Sequence, residues 1–198
     1  MRVIAGQAKG RRLRAPTSGT RPMTDQMKES LFSALGSMDG FRVLDLYAGS
    51  GSLGLEALSR GATATTFVES AHEAIVKLQA NIEATGLGSR SEVQWTQVSS
   101  TLLRPADERM DLIFIDPPYG MPLADVRRDL EAVVMGGWLA DAGRIALHRP
   151  LKESRIEPFG LQLVWERDYG QAHLYVFAHE DEEGPIESAT KAATEGSE

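Results

Sequence analysis

The chain has 198 residues, 42% of them hydrophobic and 25% charged, the balance of one globular domain with a sizeable core and small appendages. With no cysteine it has no disulfide, thiolate metal ligand or cysteine nucleophile. No apolar run approaches the ~18 residues of a membrane span and the N-terminus lacks a signal-peptide stretch, so a cytoplasmic protein without membrane attachment is expected.

The net charge of −7 is laid out unevenly. Residues 1–28 carry seven basic groups (Arg2, Lys9, Arg11, Arg12, Arg14, Arg21, Lys28) against Asp25, a net +6. Residues 180–198 carry seven acids against Lys191, a net −6. A local lysine and arginine cluster recruits nucleic acid by counterion release whatever the overall sign. From charge alone, a merely solvated basic arm is an equal reading.

In chain order, residues 2–15 read as a small β-hairpin with Gly6 and Gly10 near its bend. A helix over about 24–36 follows, with Met27, Leu31, Phe32 and Leu35 on one face. From about 41 to 178, β-rich runs alternate with helical patterns, which predicts a parallel sheet covered by helices. Strands are expected near 41–46, 63–68, 91–95, 111–115 and 143–148. Two more, at 160–167 and 172–178, are joined by the short Asp168–Gln171 link and so form an antiparallel hairpin at the sheet edge. The helix after the second strand is marked by a Ser70/Glu73 capping box and by Ala74, Ile75, Leu78 and Ile82 at helical spacing. The acidic stretch from Glu180 is nearly free of large apolar groups and is expected to be disordered. The resulting division is a basic hairpin and helix (1–38), an α/β domain (39–179) and an acidic tail (180–198).

Between the first strand and its helix lies Asp45-Leu46-Tyr47-Ala48-Gly49-Ser50-Gly51-Ser52-Leu53-Gly54. Gly49, Gly51 and Gly54 satisfy G-x-G-x-x-G, and Glu69 follows twenty residues after Gly49, where an acid would bind ribose hydroxyls. The glycines alone do not separate NAD from S-adenosylmethionine. Asp45 beside the loop favours a ligand carrying an ammonium and a sulfonium over one carrying a pyrophosphate, which wants the helix N-terminus free of negative charge. Asp45 either touches the ligand, directly or through water, or only braces the loop.

The fourth strand ends in Asp116-Pro117-Pro118-Tyr119. Consecutive prolines hold the preceding residues extended, so the chain leaves the sheet in a predetermined direction. An exocyclic base amine is a poor nucleophile because its lone pair is delocalised into the ring. Asp116 and the Pro117 carbonyl can accept its two N–H bonds and aim the nitrogen at a methyl group, while Tyr119 offers a stacking face for a flipped or unpaired base. The motif therefore points to amine methylation of a nucleic-acid base. The four histidines show no metal spacing and read as surface or packing residues, so no metal is expected.

Several segments together resemble the RsmD family of bacterial ribosomal RNA methyltransferases over residues 1 to about 178. They are Arg2-Val3-Ile4-Ala5-Gly6, Lys9-Gly10-Arg11-Arg12-Leu13, Arg21-Pro22-Met23-Thr24-Asp25, Lys28-Glu29-Ser30-Leu31-Phe32, the glycine loop through Gly61-Ala62, Phe67-Val68-Glu69, Asn81, the Asp116 tetrapeptide, Gly170 and Tyr175. The resemblance implies a Rossmann-like class I methyltransferase fold, a seven-stranded, mostly parallel sheet with one antiparallel strand, and S-adenosyl-L-methionine as donor. It implies the N2 amine of a guanine in 16S ribosomal RNA as acceptor, within a partly assembled small subunit, and a monomer is expected. Asp45, Tyr47, Ala48, Gly49, Ser50, Gly51, Glu69, Ser70 and Gln97 are the expected donor-binding residues. Arg11, Arg12, Arg14, Arg21 and Lys28 are those for RNA, with Arg21 and Thr24 facing either the donor's methionine end or the RNA.

The chain departs from the family pattern in three places. Met23 stands where threonine is usual, His148 where that strand often ends in glutamate, and Asp168-Tyr169 where the stretch is more basic. The competing readings are a DNA adenine-N6 methyltransferase, for which the chain has little room for a DNA-reading domain; an NAD-dependent oxidoreductase, which lacks an evident proton-transfer residue; and a catalytically silent RNA-binding module.

Overall fold

A computed structural model describes residues 1–15 and 23–180. Arg21 and the acidic segment beyond Glu180 fall outside the described residues. The alternating β and α patterns build one sheet from β1 (Arg42–Leu46), β2 (Ala64–Glu69), β3 (Ser91–Trp95), β4 (Met110–Ile115), β5 (Leu139–Pro150), β6 (Leu161–Tyr169) and β7 (Ala172–His179). Their spatial order is β3-β2-β1-β4-β5-β7-β6. Strands β1 to β5 pair in parallel, and β7 lies antiparallel to both β5 and β6. The expected edge hairpin is thus β6–β7, with β7 inserted beside β5.

Strand residues alternate between two cores, as the twofold side-chain period requires. Val43, Phe67, Leu112, Phe114, Ala146 and Val176 face one core, shared with α1 (Asp25–Leu35), α2 (Ser52–Ser59) and α3 (His72–Thr85). Leu44, Leu46, Val68, Ile113, Ile115 and Leu147 face the other, shared with α4 (Val98–Leu102) and α5 (Leu123–Met135). Among the described residues, no helix is long and apolar enough to cross a membrane.

The N-terminal hairpin is looser than the sequence pattern suggests. Its ladder is one antiparallel bridge, Arg2 to Arg12, and side chains of the α/β domain satisfy the backbone groups that a longer hairpin would pair. Glu56 of α2 accepts from the amides of Ile4 (2.7 Å) and Ala5 (3.0 Å). Ser59 Oγ accepts from Ala8 N (2.9 Å) and donates to the Ala5 carbonyl (2.5 Å). Val3, Ala8 and Leu13 are buried in the same core as α1 and the sheet.

Gly6 lies at the closest approach, with φ of 77° and a position where a Cβ would stand 1.8 Å from the Ser59 carbonyl oxygen. Gly6→Ala is expected to destabilise the fold by about 2 to 4 kcal/mol, combining the left-handed backbone penalty with a clash against backbone. Urea denaturation measures this, and a change below about 0.5 kcal/mol would mean that the segment shifts away freely.

Two expectations are corrected here. Helix α3 has no capping box: its N-cap is Ala71 without a side-chain bond. The turn amides of Ser70 and Ala71 donate instead to Glu69 Oε1, both at 2.8 Å, so the acid at the end of β2 takes the Ser70 amide that Glu73 would accept in a capping box. Lys28 is also not a phosphate contact. It is fully buried on α1, with Nζ donating to the Arg2 carbonyl (2.5 Å) and 3.8 Å from Glu56 Oε2. Burial lowers its pKa, while the Glu56 charge opposes that shift. Lys28 faces inward because α1 buries the stripe that also carries Met27, Leu31 and Phe32.

Candidate active site

Strand β1 lies between β2 and β4, so the winding of the sheet reverses there and leaves a crevice beyond the strand ends. The chain turns sharply into it: Tyr47, Gly49 and Gly51 all have positive φ (59°, 56° and 79°). At Gly51 a Cβ would lie 2.4 Å from Leu78 Cδ1 of α3, and at Gly54 2.4 Å from Phe67 Cε1 of β2, so the first glycine makes room for α3 and the second lets α2 press onto the sheet. Beside Gly49 the nearest atom to such a Cβ is Tyr47 O at 3.9 Å, which leaves open backbone for a ligand. The left-handed Tyr47 is pinned at its tip, its hydroxyl donating to Asp129 Oδ2 of α5 at 2.5 Å, and burial raises the pKa of both groups. Ala48 N bonds the Val68 carbonyl (3.1 Å), and the Ser50 carbonyl accepts from Asn81 (2.9 Å).

Three carboxylates surround this turn. Asp45 is buried and accepts from Gly54 N (2.9 Å), which is the brace foreseen as one of its two roles. Burial pushes its carboxyl well up, the Gly54 bond pulls it down, and the charges of Asp116 and Glu69 push it up again. Glu69 Oε2 accepts from Gly49 N at 2.8 Å, so one acid links the end of β2 to the loop after β1. The negative charge that Asp45 and Glu69 place against the turn makes a site that gains from a cationic ligand and opposes a pyrophosphate. The residues fit S-adenosylmethionine on that ground.

Further along the same edge, β3 places exposed Trp95 opposite Glu69, and Trp95 Nε1 donates to the Ser70 carbonyl (2.9 Å). Gln97 is exposed and forms the N-cap of α4 without a side-chain bond.

Asp116 follows β4, its amide bonded to the Leu46 carbonyl of β1 at 3.4 Å. Its Oδ1 lies 2.8 Å from His148 Nδ1, and His148 Nε2 lies 3.0 Å from the Tyr119 hydroxyl. His148 was expected to be a packing or surface residue. It is indeed buried, but it joins the two polar members of the motif. The next residue, Arg149, is buried too and holds the backbone of the same loop. Its guanidinium donates to the carbonyls of Pro118 (3.3 Å) and Met121 (2.8 Å) and pairs with Glu153. Pro117 is buried, Pro118 exposed and Tyr119 half-buried.

Neither His148 nor Arg149 belongs to a spacing motif. The available signal is register: Ile115 pairs with Leu147, which sets the following residues, Asp116 and His148, side by side.

Of the basic residues, Arg11, Arg12 and Arg14 are exposed. Arg14 is attached through its backbone, its amide donating to Asn81 Oδ1 (2.8 Å) and its carbonyl accepting from Asn81 Nδ2 (3.1 Å). Since Asn81 also holds Ser50, one buried side chain ties the basic segment to the glycine loop. Thr24 caps α1, accepting from Met27 N at 3.2 Å. A groove lined by Arg42, Thr65 and Glu92 lies at the opposite ends of the strands, away from these groups.

The sequence profile of the family described as Conserved hypothetical protein 95 matches residues 1–178. Ribosomal RNA small subunit methyltransferase D of Escherichia coli (strain K12) is 35% identical over 188 residues, covering 91% of this chain and 90% of that protein. The protein of the same name from Haemophilus influenzae is 32% identical over 174 residues, covering 86% and 89%. The solved structure of yhhF from Escherichia coli superposes with a TM-score of 0.80 at 32% identity, covering 92% of this chain and 99% of that one. With its seven-stranded sheet and glycine loop, the chain has the Rossmann-like class I methyltransferase fold and belongs to the RsmD family of methyltransferases.

Proposed function

We propose that this protein transfers the methyl group of S-adenosylmethionine to the exocyclic N2 amine of a guanine in 16S ribosomal RNA, acting as a monomer on a partly assembled small subunit. The observation that carries this reading is the Asp116 carboxylate, held at the switch crevice by His148, with an exposed arginine segment tied through Asn81 to the adjacent glycine loop. The names of the relatives from Escherichia coli and Haemophilus influenzae support the small-subunit RNA.

The donor supplies an electrophilic methyl group on a sulfonium. Gly49, Gly51, Tyr47, Ala48, Ser50, Asp45, Glu69, Ser70 and Gln97 would hold it. Asp116 and the Pro117 carbonyl accept the two N–H bonds of the guanine amine, which localises the nitrogen lone pair and directs it. Tyr119 stacks against the flipped base.

Arg11, Arg12 and Arg14 contact phosphates. Replacing all three with glutamine is expected to make the slope of log binding constant against log salt shallower by about 2 to 3, at little cost to donor affinity. Filter binding across a salt series checks this, and an unchanged slope would remove the segment from the RNA interface. The decisive experiment is mass spectrometry of ribosomal RNA from cells lacking the protein. Loss of one N2-methylguanine is expected, and an unaltered small-subunit RNA overturns the reading.

A further inference from the structure

We infer that His148 is a positioning residue that locks Asp116 and Tyr119 into a single acceptor-binding unit, its two ring nitrogens serving two separable steps. The inference rests on the reading above, in which both neighbours touch the acceptor base.

The side chain of His148 is 2% exposed, so its polar atoms must be satisfied within the protein. Both are: Nδ1 lies 2.8 Å from Asp116 Oδ1, and Nε2 lies 3.0 Å from the Tyr119 hydroxyl. With Asp116 as a carboxylate, Nδ1 carries the proton and donates, which leaves Nε2 to accept from Tyr119. This tautomer occupies one Asp116 oxygen and reserves Oδ2 for the amine. The Tyr119 ring meets the imidazole edge-on, with centroids 5.5 Å apart and an interplanar angle of 69°, so its orientation is set from the same side. Arg149, next on β5, grips the loop carbonyls of Pro118 and Met121. The end of β5 thereby holds the Asp116–Met121 loop by side chain and backbone together.

Alkylation of a primary amine forms one N–C bond as the donor's S–C bond breaks, its electron pair staying on sulfur, and one N–H proton must leave. Asp116 Oδ2 receives that proton, and the Nδ1–H bond to Oδ1 keeps the carboxylate aligned to take it. The Nδ1 contact acts in the methyl-transfer step, whereas the Nε2 contact acts on base stacking through Tyr119.

Two substitutions separate the contacts. Asparagine places an amide N–H near the Nδ1 position, and glutamine places its amide near Nε2. His148→Asn is expected to leave kcat within about threefold of wild type and to raise KM for 16S RNA about five- to tenfold. His148→Gln is expected to lower kcat about 10- to 100-fold, the scale of a lost bond to a charged group. Tyr119→Phe should match His148→Asn, and the two combined should add nothing further, since each removes the same bond. Calorimetric S-adenosylmethionine affinity should stay within about threefold throughout, and alanine at 148 serves as the fully disconnected reference.

If the asparagine and glutamine variants both keep wild-type kcat and KM, or fall together in kcat with donor affinity lost, the inference fails and His148 is packing alone. If the wild-type protein methylates no 16S RNA, the functional reading itself fails instead.

Discussion

Asp116→Ala is expected to lower methyl transfer to 16S RNA by about 10²- to 10³-fold or more, with S-adenosylmethionine affinity within about threefold of wild type. The size follows from what the side chain does. It is the one carboxylate of the crevice committed to a partner on the acceptor side, through His148, whereas Asp45 and Glu69 are committed to loop amides of Gly54 and Gly49. Removing it takes away the acceptor of an amine N–H and the group that receives the departing proton, and it leaves the glycine loop's own bonds untouched. Asp116→Asn keeps an acceptor oxygen but cannot take the proton, so it should retain RNA affinity and still be slow. Single-turnover rates with donor titration by calorimetry separate these effects. A loss of donor affinity equal to the loss of rate would reassign Asp116 to the donor.

The largest expected loss of stability lies away from the crevice. Glu56→Ala should destabilise the fold by about 3 to 5 kcal/mol, because it strands a fully buried ammonium without its countercharge. The same carboxylate accepts from Ile4 N, Ala5 N and Arg60 Nε (2.8 Å), so two backbone amides of the N-terminal segment also lose their acceptor. Replacing Lys28 and Glu56 together with methionine should cost markedly less than Glu56→Ala, since no lone charge stays buried, although the two amides still lose their acceptor. Chemical denaturation of both variants provides the comparison. A Glu56→Ala variant within about 1 kcal/mol of wild type would show that the Lys28 environment relaxes or hydrates. Because Glu56 anchors the segment bearing Arg11 and Arg12, this variant should also bind RNA more weakly at temperatures where it remains folded.

The two strands of the closing hairpin were readable because their β-rich runs and the short Asp168–Gln171 link are local properties. Arg149 was not readable, because a buried arginine at the end of an apolar strand looks like a surface residue until the loop carbonyls it holds are in place. The Ser70/Glu73 pattern misled for a related reason: Glu69, one residue earlier, competes for the same turn amides from a rigid strand end and wins them.

By itself the sequence determined what depends on short-range sterics and periodicity. That includes the twofold and 3.6-residue patterns behind a covered parallel sheet, the glycines that open a ligand turn after β1, and the prolines that direct the chain at Asp116. Tertiary structure alone decided which charges are free to act. Lys28 is consumed by Glu56, 28 positions away, while Arg11, Arg12 and Arg14 stay exposed. His148 meets Asp116 across 32 positions because β4 and β5 pair with a register shift between Met110 and Leu112. In each case the outcome turns on a contact between distant segments, and a buried polar group takes whatever partner the packing brings within hydrogen-bond reach.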